Sequence, residues 1–170
     1  MVVATGAVGL YLAPTTPKPE TKLGLLLGMS LLVGGANALN MYLERDIDGR
    51  AERTKDRPLP AGRLEPKIAL ALSLSLGLLA LLWLGLIVNL LTAVLGLVAF
   101  VSYTACYTPM KQISPGALVI GAVPGAMPPL MGWTAATGRL DLAGLTLFSI
   151  MFLWQLPHFI AIALFRSEDY

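Results

Sequence analysis

Asn37, Asn40, Glu44 and Asp48 follow one another at steps of 3, 4 and 4 residues. At about 100° per residue those steps total about 1,100°, so on a helix reaching about Gly49 the last side chain returns to within about 20° of the first. One face then carries two amides and, beyond them, two carboxylates. Carboxylates with room left for water and phosphate oxygens suit Mg²⁺, which dehydrates reluctantly and seldom accepts an all-protein cage. Bases follow at once in Arg53-Thr-Lys-Asp-Arg57-Pro-Leu-Pro-Ala-Gly62. Carboxylates for a metal beside guanidiniums for phosphate oxygens point to a metal-bound polyphosphate. The same residues also fit a solvated helix end whose acids pair with neighbouring bases in surface salt bridges of little energetic weight. Spacing alone leaves both readings open.

The elements that must hold these residues are set by where charge is missing. The chain has 170 residues, 12 Lys/Arg against 10 Asp/Glu, 56% hydrophobic and 13% charged residues, and a mean hydropathy of +0.73. That charge fraction is about half the globular norm, which argues against an ordinary soluble domain, and the apolar content excludes disorder. A net charge of +2 gives no reason to invoke nucleic acid. The single cysteine, Cys106, can form no disulfide within the chain and leaves the redox compartment unread.

A helix needs about 20 apolar residues to cross a bilayer. Leu23 to Leu43 is uncharged, as are Gln112 to Gly138 and Leu142 to Phe165. Ile68 to Met110 is 43 residues without a charge, long enough for two crossings turned at Asn89. Five spans are predicted, and the class is an all-α, polytopic membrane bundle. Met1 to Ala13 is apolar but too short to cross unaided, and it lacks the basic start of a signal peptide. It reads as the end of a further helix, and the abrupt polar close at Arg166-Ser-Glu-Asp-Tyr170 reads likewise as a cut.

Nine Lys/Arg fall on the side of the Glu44–Lys67 loop and three on the other, which predicts that this loop is cytoplasmic. Thirteen of the 22 charges lie in that loop, six of them acids. Orientation needs only the bases, so the acids want another explanation. Polar and ionisable groups at membrane depth usually face a bundle interior or cavity, where the default reading is functional.

Asn40-Met-Tyr-Leu-Glu44-Arg-Asp-Ile-Asp48 with Arg53-Thr-Lys-Asp-Arg57-Pro-Leu-Pro-Ala-Gly62 resembles the first acidic motif of the intramembrane UbiA-type prenyltransferases. Three further blocks are similar to the haem-modifying branch, the protohaem IX farnesyltransferases. They are Ala36-Asn-Ala-Leu-Asn40, then Tyr107-Thr-Pro-Met-Lys111 leading to Gly121-Ala-Val-Pro-Gly-Ala-Met-Pro-Pro129-Leu-Met-Gly-Trp133, and Trp154-Gln-Leu-Pro-His158-Phe with Glu168-Asp169-Tyr170. The likeness runs over essentially the whole chain. It departs at Gln112, where relatives often carry Arg, and at Ala117, where they often carry Asn. Diphosphate or haem contacts near that helix start are therefore not carried over.

The resemblance implies a ring of helices about a central cavity, with two acidic motifs, of which this chain reaches only the start of the second. A single prenyltransferase domain over 1–170, lacking the start of helix 1 and the last three helices, is then expected. It implies transfer of farnesyl from farnesyl diphosphate to the vinyl group of haem B, giving haem O and diphosphate, with Mg²⁺ as cofactor. Asn40, Glu44 and Asp48 would hold Mg²⁺ against the diphosphate, joined by Glu168 and Asp169. Arg57 and Lys111 would take diphosphate oxygens, with Arg53 a weaker candidate, and Asn37, Tyr107 and Gln155 would line the substrate site. Gln155, His158 and Asp169 fall on one face by helical arithmetic. His158 would serve haem as propionate contact, iron ligand or proton relay; without the resemblance it reads as a helix-packing residue hydrogen-bonded to a neighbour. Asp46 sits about 200° around from Glu44, and its role stays open.

Pro124, Pro128 and Pro129 are expected to break the fifth span, and Trp133 and Trp154 fit interfacial anchors. Two other readings share the motif residues: a UbiA-type transferase acting on an aromatic or quinone-precursor acceptor, and a small transporter whose cavity carboxylates bind a cation.

Overall fold

The computed structural model describes residues 1–50, 52, 54–111, 113, 114 and 116–165, with the side chains of 162–164 excepted. Among the described residues six helices follow in order. They are α1 (Val2–Leu12), α2 (Pro19–Asp48), α3 (Pro66–Val88), α4 (Leu90–Met110), α5 (Ala117–Thr137) and α6 (Leu142–Phe165). The last five are long and apolar enough to cross a membrane, so the chain is an integral, multi-pass membrane protein.

Local chemistry sets the ends. Pro19 and Pro66 sit in the first turns of α2 and α3, where their missing N–H groups have no helical partner to lose. The expected turn falls at Asn89, whose backbone is extended. Its side-chain oxygen accepts from Thr92 N at 2.8 Å and its amide donates to the Thr134 carbonyl at 2.9 Å, capping α4 and tying it to α5. Gly138 ends α5 at φ +66°, a conformation that costs a residue without Cβ nothing. Two stretches depart from α geometry: a π-helical turn at Leu84–Val88 closes α3, and another at Ser102–Tyr107 widens α4 before one last α turn.

The expectation that prolines break the fifth span is wrong. α5 runs unbroken through Pro124, Pro128 and Pro129. Each proline removes one backbone hydrogen bond, but a membrane helix tolerates this where neighbours cover the freed groups. α1 packs backbone to backbone on the same stretch. A Cβ at Gly9 of α1 would lie 2.0 Å from the Pro129 carbonyl oxygen, and one at Gly132 would lie 2.0 Å from the Gly6 carbonyl oxygen. Glycine at both positions lets α1 lie directly on the proline-rich stretch.

α5 is the most enclosed span and α6 the least. A core of Leu25, Met29, Leu32, Leu84, Met127, Leu130 and Met131 joins α2, α3 and α5. Trp133 belongs to the interior rather than to an interface. It is 8% exposed, and a Cβ at Gly144 of α6 would lie 2.7 Å from its ring. Burial between two helices thus replaces the expected interfacial position. Trp154, half exposed, does stand at the surface.

Candidate active site

α2 continues to Asp48, so the face inferred from spacing exists. Asn40, Glu44 and Asp48 are each less than 10% exposed although two of them carry charge. Asn37, one turn deeper, lines a cavity of about 410 Å³. Asp46 points elsewhere, exposed and 3.7 Å from Arg45 Nε.

Each buried polar atom in this stripe has a partner. Asn40 Nδ2 donates to Glu44 Oε2 at 2.9 Å, and Thr108 Oγ1 donates to Asn40 Oδ1 at 2.8 Å. The same hydroxyl stands 2.9 Å from the Tyr103 carbonyl, five residues back, a carbonyl that the widened turn of α4 brings within reach. Lys111 Nζ sits 2.5 Å from Glu44 Oε1 and Arg57 Nη1 sits 2.6 Å from Asp48 Oδ2. Thr54 Oγ1 donates to the Asp48 carbonyl at 2.8 Å and pins the following loop to the end of α2. Charges removed from water must be paired, and two acids here meet two bases. Lys111 and Arg57, expected on diphosphate oxygens, therefore rest on the carboxylates. The carboxylates are the strongest acceptors within their reach.

The cavity leads inward from this stripe between α2, α4, α5 and α6, with Val2 of α1 also in its lining. Tyr103 and Tyr107, stacked at 5.7 Å between centroids, form part of one wall. Tyr107 lies so close to α5 that a Cβ at Gly121 would be 2.7 Å from its ring, and Lys111 Nζ hangs 5.7 Å from the same ring. Gln155 is buried against Gly125, where a Cβ would lie 2.0 Å from its Oε1, and its Nε2 donates to the Met151 carbonyl.

His158 does not share that position. It is exposed, outside the cavity lining, and stacked on Trp154 at 4.8 Å with the rings 17° apart. Phe159, not His158, accompanies Gln155 in the lining. A step of three residues leaves about 60° between side chains, whereas a step of four leaves about 40°; the expected shared face fails on that difference. Arg53, Gln112, Glu168 and Asp169 lie outside the described residues.

Thr108 and Tyr103 were not singled out by spacing. The available signal was a threonine four residues after another, Thr104, in a span otherwise apolar, beside the Tyr103/Tyr107 pair.

The donor set fits a hard cation that keeps part of its water. It is oxygen only, one amide and two carboxylates on successive turns. Among the described residues no three His, Cys, Asp or Glu side chains gather to hold a metal alone. The remaining positions would fall to water, to phosphate oxygens, or to residues beyond those described.

The solved apo structure of a UbiA homolog from Aeropyrum pernix K1 superposes with a TM-score of 0.81 at 20% identity. It covers 99% of this chain and 64% of that one, which establishes the fold. Among curated proteins, the "Protoheme IX farnesyltransferase" of Anaeromyxobacter sp. (strain Fw109-5) is 55% identical over the whole of this chain and 57% of its own length. The protein of that name from Myxococcus xanthus (strain DK1622) is 53% identical over the whole chain and 58% of its own. The chain thus spans somewhat over half the length of these relatives. Residues 2–170 match the description UbiA prenyltransferase family. A buried acid-and-amide stripe at the mouth of an apolar membrane cavity, the shared fold and this match agree: the chain belongs to the UbiA prenyltransferase family.

Proposed function

We propose that the protein transfers the farnesyl group of farnesyl diphosphate to a vinyl group of haem B, giving haem O and diphosphate, in a Mg²⁺-dependent reaction. The observation that carries this is the buried Asn40, Glu44 and Asp48 stripe, paired with Lys111 and Arg57, where an apolar cavity opens. The relatives called protoheme IX farnesyltransferase direct the choice of acceptor.

In this reading the prenyl tail lies in the cavity and the diphosphate at its mouth. Asn40, Glu44 and Asp48 would hold Mg²⁺, joined by Glu168 and Asp169; the metal supplies positive charge to the leaving diphosphate. Lys111 and Arg57 exchange their carboxylate partners for diphosphate oxygens and stabilise charge as it develops. The C1–O bond breaks with its electron pair on the departing oxygen. The terminal vinyl carbon of haem B supplies the pair for the new carbon–carbon bond. Water then adds to the inner vinyl carbon and releases a proton, leaving the hydroxyl. Asn37, Tyr107 and Gln155 border the tail and keep water from the allylic cation. His158, exposed on α6 beside Trp154, serves as a haem contact outside the cavity. The base-rich mouth is placed in this reading on the cytoplasmic side of a bacterial-type inner membrane, an orientation that the nine-to-three distribution of Lys and Arg supports.

The test is pigment extraction and chromatography from cells expressing the full-length protein. Haem O above background is expected; its absence from correctly inserted protein refutes the acceptor. Consumption of farnesyl diphosphate with 4-hydroxybenzoate or homogentisate instead would move the reading to an aromatic acceptor.

A further inference from the structure

The cavity has a built floor. Measured along the helices from the polar mouth, its innermost lining residue on α2 is Met29 and on α5 is Met131. Both are almost wholly buried, at 1% and 2% exposure. Their tips reach across the bundle and end on glycines. A Cβ at Gly6 of α1 would lie 2.6 Å from Met29 Sδ and Cε, and one at Gly96 of α4 would lie 3.3 Å from Met131 Cε. Two thioethers thus line the inner end where two neighbouring helices, α1 and α4, leave room for them.

The depth of this floor has a chemical meaning. Asn40 and Met29 are 11 residues apart on one continuous helix, a separation of about 16 Å at about 1.5 Å per residue. An extended isoprene unit adds about 4.5 Å, the rise of about three helical residues. Three units from a diphosphate held at Asn40 span about 13 Å and fit above the floor; four span about 18 Å and meet it. On α5 the lining from Gly121 to Met131 covers about 15 Å by the same measure, so the two walls agree.

We infer that Met29 and Met131 set the length of prenyl chain the enzyme accepts, favouring three isoprene units over four. The inference rests on the reading above, that a prenyl diphosphate is the donor. Methionine is unbranched and adaptable, so the limit is graded rather than absolute. One isoprene unit more or less against a closed apolar wall is worth at least the discrimination of a single methylene, on the order of tenfold or more.

The experiment compares kcat/KM for geranyl, farnesyl and geranylgeranyl diphosphate, with haem B as acceptor, in membranes carrying the full-length protein. Met29→Ala removes Cγ, Sδ and Cε and should raise the geranylgeranyl-to-farnesyl ratio about tenfold or more; Met29→Phe fills the floor and should raise the geranyl-to-farnesyl ratio similarly. Met131→Ala repeats the first arm from the other wall, should Met29→Ala fail to insert. Inserted variants that keep the wild-type length profile, or that lose all three donors in equal proportion, overturn the inference. If wild-type protein consumes no prenyl diphosphate of any length, the functional reading itself fails.

Discussion

Lys111 Nζ rests 2.5 Å from Glu44 Oε1, so one carboxylate of the proposed metal site already holds a cation. Glu44 is 6% exposed, and removing its partner would leave a buried charge uncompensated. Lys111→Met should therefore lower stability by roughly 3 kcal/mol and cut turnover by roughly a hundredfold or more through the lost contact to diphosphate. Thermal unfolding in detergent and a haem O assay measure the two effects separately. Turnover within threefold of wild type would remove Lys111 from the reaction.

Asp48→Asn keeps the shape of a side chain paired with Arg57 at 2.6 Å but removes its charge. Turnover should fall below detection while insertion stays normal. Chelation of divalent cations should silence the wild-type protein, and added Mg²⁺ should restore it. Activity that survives chelation would contradict the metal-dependent reading.

Thr108 orients Asn40 through a buried 2.8 Å hydrogen bond. Thr108→Val leaves the Asn40 oxygen without that donor, at a cost of about 1–3 kcal/mol. Partners that orient metal ligands typically matter about 10–100-fold in metal affinity. The Mg²⁺ concentration for half-maximal rate should rise by that order in Thr108→Val and stay near wild type in Thr108→Ser. Equal behaviour of the two variants would show that the hydroxyl is not what counts.

Gly9→Ala would drive a methyl group against the Pro129 carbonyl, 2.0 Å away, whereas a methyl group at Gly34 meets nothing within 4 Å. The first should destabilise by roughly 2 kcal/mol or more, because the new Cβ is fixed by the α1 backbone and meets a backbone carbonyl that no side-chain rotation can move away. The second should be neutral or slightly stabilising, since alanine is favoured over glycine within helices by about 1 kcal/mol. Melting temperatures of the two variants decide.

Much of this was readable before any coordinates. Charge-free runs located all five spans and the turn at Asn89, because bilayer thickness and hydropathy act on whole segments. The Asn37–Asp48 stripe was readable for a similar reason: α2 is one regular helix, so counting 100° per residue holds along it. The arithmetic loses its footing where geometry is irregular or packing decides. Nothing in Ser102–Tyr107 announces a π turn, so the approach of Thr108 to Asn40 was hidden. Proline rules drawn from water mislead for Pro124, Pro128 and Pro129, which sit in an unbroken helix packed closely on the glycines of α1. The direction of His158 depended on Trp154, whose ring offers a broad surface for stacking one turn away.

The widened turn at Ser102–Tyr107 also governs how this chain can vary. Such a turn amounts to one residue inserted into an α-helix. Deleting any one of those six residues would return the stretch to regular α geometry and keep Thr108 and Lys111 on the side of Asn40 and Glu44, because the extra residue is what the wide turn absorbs. A frame-preserving loss of one codon there would forfeit the reach of Thr108 to a carbonyl five residues back while leaving the mouth in register and the span hydrophobic enough to insert, so length is the dimension in which this segment can drift.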